Sequence, residues 1–277
     1  MKKKIFNKNC PICDCISPFF KWNDYYVYKC GKCGLLFGDL SVKEVGGNSS
    51  PVDSNGISFM ADSFFRTKDI ANSFAIKRKN IYEKILKRKC KSILEIGCGP
   101  GVFYNSYNNI SVNWTGIEIN PFWIQFGIEN NIPIQSTKLS KIKGKFDVIA
   151  SHQVLEHIEN PNKFMDEIKS KLNPGGLIHF ELPNQNSLTS KLRQISPKIS
   201  YDFGFIQPPM HLRAYNHKSL RYFFDKHGLN TIKIKTCGNN HKIWGQARIY
   251  SIPKKLIYSL SELIGLGSLL VGLAVKK

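Results

Sequence analysis

Short apolar runs alternate with helical segments through most of the chain after about residue 90, and this alternation constrains the fold more than any other feature. The apolar runs cover residues 92–96, 114–119, 132–135, 146–150, 177–182, 231–236 and 269–275. Runs of this length, bounded by turn residues, predict strands. Strands separated by helices need crossover connections, so the pattern predicts a mostly parallel sheet with helices on both faces. A chain of 277 residues is long enough to bury the core of such an α/β fold.

Signals at the helix ends support this division. Asn160 and Pro161 supply an N-cap and a first-turn proline, and Pro174-Gly175-Gly176 ends that helical run before the next strand. Asn216 is placed to cap a later helix that Gly228 ends. Upstream of the first strand, apolar residues recur at helical spacing between about 61 and 89.

Cysteines dominate the start of the chain, where five of the eight fall within the first 33 residues. Cys10 and Cys13 form one Cys-x-x-Cys pair and Cys30 and Cys33 a second, separated by the 16 residues 14–29. This spacing is typical of a four-thiolate structural zinc site, which leaves no open coordination position for catalysis. A redox dithiol or unrelated thiols are the alternatives, and Cys15 is left over as a substitute ligand or a plain thiol.

Between the cysteine pairs, residues 19–22 and 25–28 predict a short hairpin around Asn23-Asp24. A polar, turn-rich stretch follows the second pair. We therefore predict a zinc ribbon over residues 1–40, a linker over 41–60 and a second domain over 61–277.

Charge and targeting signals restrict the partners less sharply. Lys and Arg number 40 against 20 Asp and Glu, a formal net charge of +20, which is compatible with RNA, an anionic membrane surface or a phosphorylated acceptor. Lys supplies 33 of these cations and Arg only 7, although Arg is favoured for bidentate phosphate and base contacts. The charge therefore leaves these partners open.

The apolar stretch 256–275 has the length of a membrane span and a single charge, Glu262. Several Ser and Gly residues divide it, so we predict a helix to about residue 264, a turn and a final strand. We expect no transmembrane segment, with peripheral membrane contact left open. The start of the chain has no readable secretory signal, and we expect a cytoplasmic location.

A glycine-rich segment, Glu95-Ile96-Gly97-Cys98-Gly99-Pro100-Gly101, joins the first predicted strand to a helix. Its glycines permit a sharp turn and close approach of a ligand to the backbone. A carboxylate at Glu95 suits a cationic amino-acid group and would repel a pyrophosphate. Glu118 ends the second strand, where its carboxylate is placed to accept two ribose hydroxyls.

Two more motifs follow the glycine-rich segment and Glu118: Val154-Leu155-Glu156-His157 and Leu172-Asn173-Pro174-Gly175-Gly176. With these four motifs in this order, the chain resembles the class I S-adenosylmethionine-dependent methyltransferases over roughly residues 62–277. The resemblance implies a Rossmann-like seven-stranded sheet of order 3-2-1-4-5-7-6, with strand 7 antiparallel. It also implies S-adenosyl-L-methionine as cofactor.

Carried over to this sequence, the resemblance assigns cofactor roles to residues at the ends of four strands. Glu95 and the loop residues Gly97, Cys98, Gly99 and Gly101 would bind the methionine part, and Glu118 the ribose. Ile119 would line the adenine pocket. The acidic residue that often follows strand 3 is absent here, where Gln135-Ser136-Thr137 stands, so Thr137 becomes the candidate contact. Ser151 and His152, at the end of strand 4, would border the cofactor.

Methyl transfer to a hydroxyl calls for a base, and the imidazole of histidine has a suitable pKa. His152, His157 and His211 are the candidates. In the alternative interpretation, His157 only orients its short helix and His211 only stabilises its loop.

The acceptor prediction depends on the resemblance. Glu181-Leu182-Pro183-Asn184 and the segment around His211 resemble bacterial enzymes with an N-terminal zinc ribbon that modify sugars. We therefore expect O-methylation of a small molecule, a sugar or nucleotide-linked sugar of surface polysaccharide synthesis. Tyr201, Phe203, Phe205, Tyr215, Arg193 and Arg213 are candidates for the acceptor pocket. An RNA base methyltransferase and a non-catalytic cofactor-binding protein are the alternatives.

Overall fold

A seven-stranded sheet forms the centre of the chain in the computed structural model, which describes residues 7–22, 25–38, 68–195, 206, 211–237 and 259–277. Its strands are β6 (Ser92–Ile96), β7 (Asn113–Ile117), β8 (Ile134–Gln135), β9 (Phe146–His152), β10 (Leu172–Pro183), β12 (Leu229–Cys237) and β13 (Leu269–Lys276). They lie in the order β8-β7-β6-β9-β10-β13-β12. Five neighbouring strands are parallel, and β13 is antiparallel to both β10 and β12. Counted along the chain, this is the predicted order 3-2-1-4-5-7-6, which is confirmed.

Helices cover both faces of the sheet. They are α1 (Lys68–Leu86), α2 (Tyr104–Asn108), α3 (Pro121–Glu129), α4 (Pro161–Lys171), α5 (Leu188–Ile195) and α6 (His217–Lys226). The Asn160 side chain accepts from the backbone of Lys163, and Asn216 forms a capping box with Ser219, as the helix-start signals predict. Neighbouring residues Ile93 and Leu94 of β6 belong to opposite core clusters, because successive side chains of a strand point to opposite faces.

Several strand boundaries differ from the prediction. β7 ends at Ile117 and not at 119. β10 starts at Leu172 and not at 177, so Pro174-Gly175-Gly176 lies within the register shift between Leu172 and Leu177 and does not separate the helix from the strand.

Two other differences have clear local reasons. β8 has only two residues, because Ile132 still closes the preceding turn through its N–H bond to Gly127 O (2.8 Å). β9 continues through Ser151 and His152, which pair with Phe180 and Glu181 of β10. These polar side chains therefore lie within the end of a strand and are buried.

The cysteine-rich segment forms two small sheets. β1 (Lys8–Asn9) pairs with β2 (Ile16–Ser17), and β3 (Phe19–Trp22), β4 (Tyr25–Lys29) and β5 (Leu36–Gly38) form an antiparallel ribbon. The predicted hairpin strands are present, while its Asn23-Asp24 turn and the predicted linker 41–60 lie outside the described residues.

A strand from far along the chain completes the ribbon sheet. β11 (Arg213–Ala214) pairs antiparallel with β5, and Gly38 N–H donates to Leu212 O (2.9 Å). Ile12 and Leu35 are fully buried in the same core cluster as Tyr215 and Phe223. The ribbon thus packs directly on the larger domain. Among the described helices, none is long and apolar enough to cross a membrane.

Candidate active site and metal centre

The glycine loop turns where β6 ends, at the carboxyl edge of the parallel strands. Gly97, Gly99 and Gly101 all have positive φ, between 53° and 69°. A Cβ at Gly97 would stand 2.4 Å from Cγ2 of Val154, so both the backbone angle and the space require glycine. The loop therefore brings bare backbone to the edge where open α/β sheets bind ligands.

Glu118 lies opposite this loop, just beyond β7. Gly99 N–H donates to its Oε2 (2.9 Å), and the N–H groups of Ile119 and Asn120 donate to its Oε1 (2.7 and 3.0 Å). These three backbone donors fix the carboxylate in an almost buried position. Its remaining lone pairs are available to hydroxyl donors.

A cavity of about 420 Å³ opens beside Glu118. Four of the predicted cofactor residues line it: Gly97, Glu118, Ile119 and Thr137. Its volume lies in the range typical of small-molecule sites, which is about 300–1,000 Å³. The glycine cradle, the oriented carboxylate and the cavity fit a nucleoside carrying an amino-acid tail. Lining residues that sequence reasoning missed include Lys138, Leu139, Ser140, Lys163 and Phe164, none of which belongs to a motif, and Val154, which begins the Val154–His157 motif but was given no role.

The other predicted cofactor residues lie deeper, behind the loop. Glu95 is buried and accepts from Trp114 Nε1 (2.8 Å), and its second oxygen lies 3.1 Å from His152 Nδ1. Burial raises the pKa of Cys98, which keeps its thiol protonated. The buried Ser151 hydroxyl has no hydrogen-bond partner in the described structure. Glu95, Cys98 and Ser151 do not line the cavity.

The structure separates the three candidate histidines into two places. His152 faces inward, with its ring centroid 5.3 Å from that of His179. His157 and His211 instead stack edge to face, with centroids 4.8 Å apart. His157 follows β9 in the short 3-10 helix Leu155–His157, and His211 precedes β11. Only these two candidates meet at the sheet edge.

Glu156 accompanies this histidine pair and was not singled out from the sequence. The residue is 1% exposed, and neither carboxylate oxygen accepts a hydrogen bond from any described residue. Burial raises the pKa of this carboxyl group to about 8. Its backbone oxygen accepts from Leu212 N–H (2.9 Å), which joins the 3-10 helix to the segment carrying His211.

Two of the predicted acceptor residues have structural roles. Arg213 is buried and donates to the backbone oxygens of Leu212 (2.8 Å) and Glu159 (3.0 Å). Tyr215 is fully buried, and burial raises its pKa. Both face the protein interior and do not offer an acceptor surface. Tyr201, Phe203, Phe205 and the Arg193 side chain lie outside what the structure describes.

The four predicted zinc ligands converge at the ribbon end. Their sulfurs all lie within 4.8 Å of one another, with Cys10 to Cys33 at 3.5 Å and Cys13 to Cys30 at 3.3 Å. A tetrahedral zinc with Zn–S bonds of about 2.3 Å would need sulfurs roughly 3.8 Å apart. The hydrogen bond with Cys33 lowers the pKa of Cys10 to about 5, whereas the same bond raises the pKa of Cys33 and burial raises that of Cys13. Metal binding at this cluster therefore has to displace protons from the other thiols. The cluster fits zinc, and Cys15 does not belong to it.

Polar contacts tie this cluster to the larger domain. Asn162 Nδ2 donates to Pro11 O (2.8 Å), and Lys226 Nζ donates to Ile12 O. Asn216 Nδ2 donates to Gly34 O (2.9 Å) while its Oδ1 caps α6. The backbone of both cysteine turns is thus held by side chains of α4 and α6 and the α6 cap.

Comparison with known proteins gives consistent relatives. A family model described as a methyltransferase domain matches residues 70–234, more than half of the chain. A ubiquinone biosynthesis O-methyltransferase of Shewanella pealeana is 26% identical over 106 residues, which cover 35% of this chain and 45% of that protein. A malonyl-[acyl-carrier protein] O-methyltransferase of Ilyobacter polytropus is 30% identical over 127 residues, covering 42% and 49%. The chain spans about half the length of these curated relatives.

Solved structures match more of the chain at lower identity. The plantazolicin methyltransferase BpumL in complex with SAH is 18% identical, has a TM-score of 0.53, and aligns over 81% of this chain and 91% of its own. The plantazolicin methyltransferase BamL is 16% identical, has a TM-score of 0.54, and aligns over 82% of this chain and 92% of its own. At these identities the likeness shows the fold. The chain belongs to the methyltransferase domain family, with the fold of the class I S-adenosylmethionine-dependent enzymes.

Proposed function

We propose that this protein transfers a methyl group from S-adenosylmethionine to a hydroxyl of a small molecule. The observation that carries the proposal is the glycine loop, which is hydrogen-bonded to the oriented Glu118 carboxylate and borders with it a cavity at the carboxyl edge of the sheet. Its curated relatives are named as O-methyltransferases, which favours oxygen as the methylated atom.

The cofactor assignment follows the positions of the side chains. Glu118 accepts the ribose hydroxyls, and Ile119 and Thr137 contact the adenine. The backbone of Gly97, Gly99 and Gly101 lies against the methionine part, with Glu95 behind it as a buried negative charge for the ammonium group. Cys98, Ser151 and His152 lie on the same side, behind the loop.

Bound S-adenosylmethionine supplies an electrophilic methyl group on a sulfonium, and transfer of this methyl group leaves a neutral thioether. The protein must then align the acceptor, exclude water and activate the hydroxyl. His157 and His211 are the groups assigned to activation, because they meet at the sheet edge next to the 3-10 helix that follows β9. His152, the third candidate, is held against Glu95 and serves the cofactor side.

For the acceptor we propose a sugar or nucleotide-linked sugar. The proposal is supported by the combination of a zinc ribbon with this fold and by the +20 charge, which favours anionic acceptors. We further propose that Cys10, Cys13, Cys30 and Cys33 hold a structural zinc, since the geometry of the four sulfurs suits tetrahedral coordination.

A labelled-methyl screen tests the function. The purified chain is incubated with labelled S-adenosylmethionine and panels of nucleotide sugars, free sugars, phenols and RNA. Transfer to a small-molecule hydroxyl is expected, and His157→Ala and His211→Ala should slow it at unchanged cofactor affinity, whereas the exposed His217→Ala should not. Transfer to RNA alone would establish the RNA alternative. Cofactor binding without any transfer would favour the non-catalytic alternative.

A further inference from the structure

Three side chains of types that can ligate a metal lie close together at the sheet edge, outside the cysteine cluster. The ligand atoms of Glu156, His157 and His211 all lie within 4.8 Å of one another. They come from two segments, the 3-10 helix after β9 and the residue before β11, which the Leu212 to Glu156 backbone hydrogen bond holds together. The cluster therefore forms only because the fold brings these two distant segments together.

The carboxylate of Glu156 is the unusual member. It is 1% exposed, and within the described structure neither of its oxygens accepts a hydrogen bond. Its one ion-pair contact among the described residues is His157 Nε2, at 4.0 Å. Buried carboxylates are costly unless they are paired or bind a metal, so this one indicates a missing partner.

A second cluster in the same protein shows how such a carboxylate is otherwise satisfied. His152, His179 and Glu181 also place their ligand atoms within 4.8 Å. There, however, Arg78 Nη2 lies 2.8 Å from Glu181 Oε1, and Tyr82 Oη lies 2.6 Å from His179 Nδ1. The protein supplies the counter-charge itself at that site. It supplies no Arg or Lys to Glu156 from the described residues.

We propose that Glu156, His157 and His211 bind one divalent transition-metal cation. Two imidazoles and one carboxylate form a donor set that proteins use for zinc and for other divalent first-row metals. Three protein ligands leave coordination positions open, and an acceptor hydroxyl bound there would lose its proton more easily. This use of the cation rests on the proposed function, whereas binding itself does not. With the cation bound, the histidines act as ligands and the metal replaces them in activating the hydroxyl.

Cobalt(II) is the probe, because its visible bands report imidazole and carboxylate ligation. It is titrated into the full chain with the cysteine cluster already loaded with zinc. We expect saturable binding of one equivalent, without the thiolate charge-transfer band that would mark exchange at the cysteines. Glu156→Gln should weaken binding by at least about tenfold, the range seen for loss of metal-site partners, and His217→Ala should leave it unchanged.

The stability of metal-free Glu156→Gln shows whether Glu156 is a metal ligand or a residue that the fold needs for its stability. Glu156→Gln replaces a buried carboxyl that has no hydrogen-bond partner among the described residues with a neutral amide of the same size, so it should unfold at the same or a higher denaturant concentration than the wild type. Absence of saturable cobalt binding, or equal binding by Glu156→Gln, would overturn the proposal. A chain that binds cobalt and transfers no methyl group would count against the proposed function and leave the cation site standing.

Discussion

Replacing Arg78 with methionine should lower the free energy of unfolding by about 3–5 kcal/mol, the range for breaking a buried ion pair. Arg78 and Glu181 are 9% and 8% exposed at their side chains, and their charged atoms lie 2.8 Å apart between α1 and β10. The guanidinium carbon also lies 4.6 Å from the centroid of the Phe103 ring, a contact that methionine preserves in part. The loss comes mainly from the missing counter-charge, because the Glu181 carboxylate then keeps the His179 ring, whose Nε2 lies 3.4 Å from Oε1, but no arginine.

The size of the effect depends on pH. Burial alone would raise the pKa of Glu181, but the charge of Arg78, with His152 and His179, holds it well below its usual value. Without Arg78 the burial effect remains, so the folded carboxyl would take up a proton more readily than the unfolded one. The variant should thus lose most stability near pH 7 and less near pH 5.

Guanidinium unfolding at both pH values measures this, with Glu181→Gln and the double variant completing a cycle. A loss of about 3–5 kcal/mol corresponds to a roughly 10²- to 10⁴-fold change in the unfolding constant. The double variant should be more stable than the Arg78→Met variant, because it leaves no charge unpaired. The reasoning would be refuted if the free energy of unfolding of Arg78→Met lay within about 1 kcal/mol of that of the wild type, which is the level of an exposed ion pair. It would also be refuted if the double variant were no more stable than Arg78→Met.

Three further outcomes follow from the site and its surroundings. Gly97→Ala should weaken SAH binding at least about tenfold by calorimetry, because its Cβ meets Val154; Gly144→Ala, also at positive φ but with open space, should bind normally. Removing zinc with a chelator, or changing Cys10 to Ser, should lower the melting temperature, because the ribbon shares a core with the larger domain. Cys15→Ser is the control, and equal melting temperatures of Cys10→Ser and Cys15→Ser would contradict the metal assignment. Burial lowers the pKa of His179 to about 4, so the unfolded chain binds a proton between about pH 6.5 and 4 that the folded chain excludes; stability should fall as the pH drops through this window, less so in His179→Asn, and parallel profiles would show that His179 is not the cause.

The sheet could be predicted from the sequence because its signals are local. Each strand is an apolar run, and the caps at Asn160 and Asn216 mark helix starts within one residue of where they form. The loop glycines and the cysteine spacing are equally local, since each motif needs only its own turn. The predicted strand order came from the resemblance and is confirmed.

The contacts that form the site could not be predicted, because they depend on long-range register. β11 has two residues and no periodic signal, yet it completes the ribbon sheet and brings His211 to His157. Glu156 is part of a family motif in the sequence, and only the fold shows that its carboxylate is buried and accepts no hydrogen bond from any described residue. Likewise Arg213 suits an anionic ligand by its chemistry, and only packing shows that it binds backbone oxygens instead.

Calorimetric titration with SAH tests the central claim most directly, because it requires no knowledge of the acceptor. The account predicts saturable binding of one equivalent per chain. Glu118→Ala should abolish it or weaken it by about 10-fold or more, since lost hydrogen bonds to a charged group are worth about 1.5–3 kcal/mol, while His211→Ala should bind as the wild type does. No binding by the wild-type chain, or equal binding by Glu118→Ala, would contradict the account.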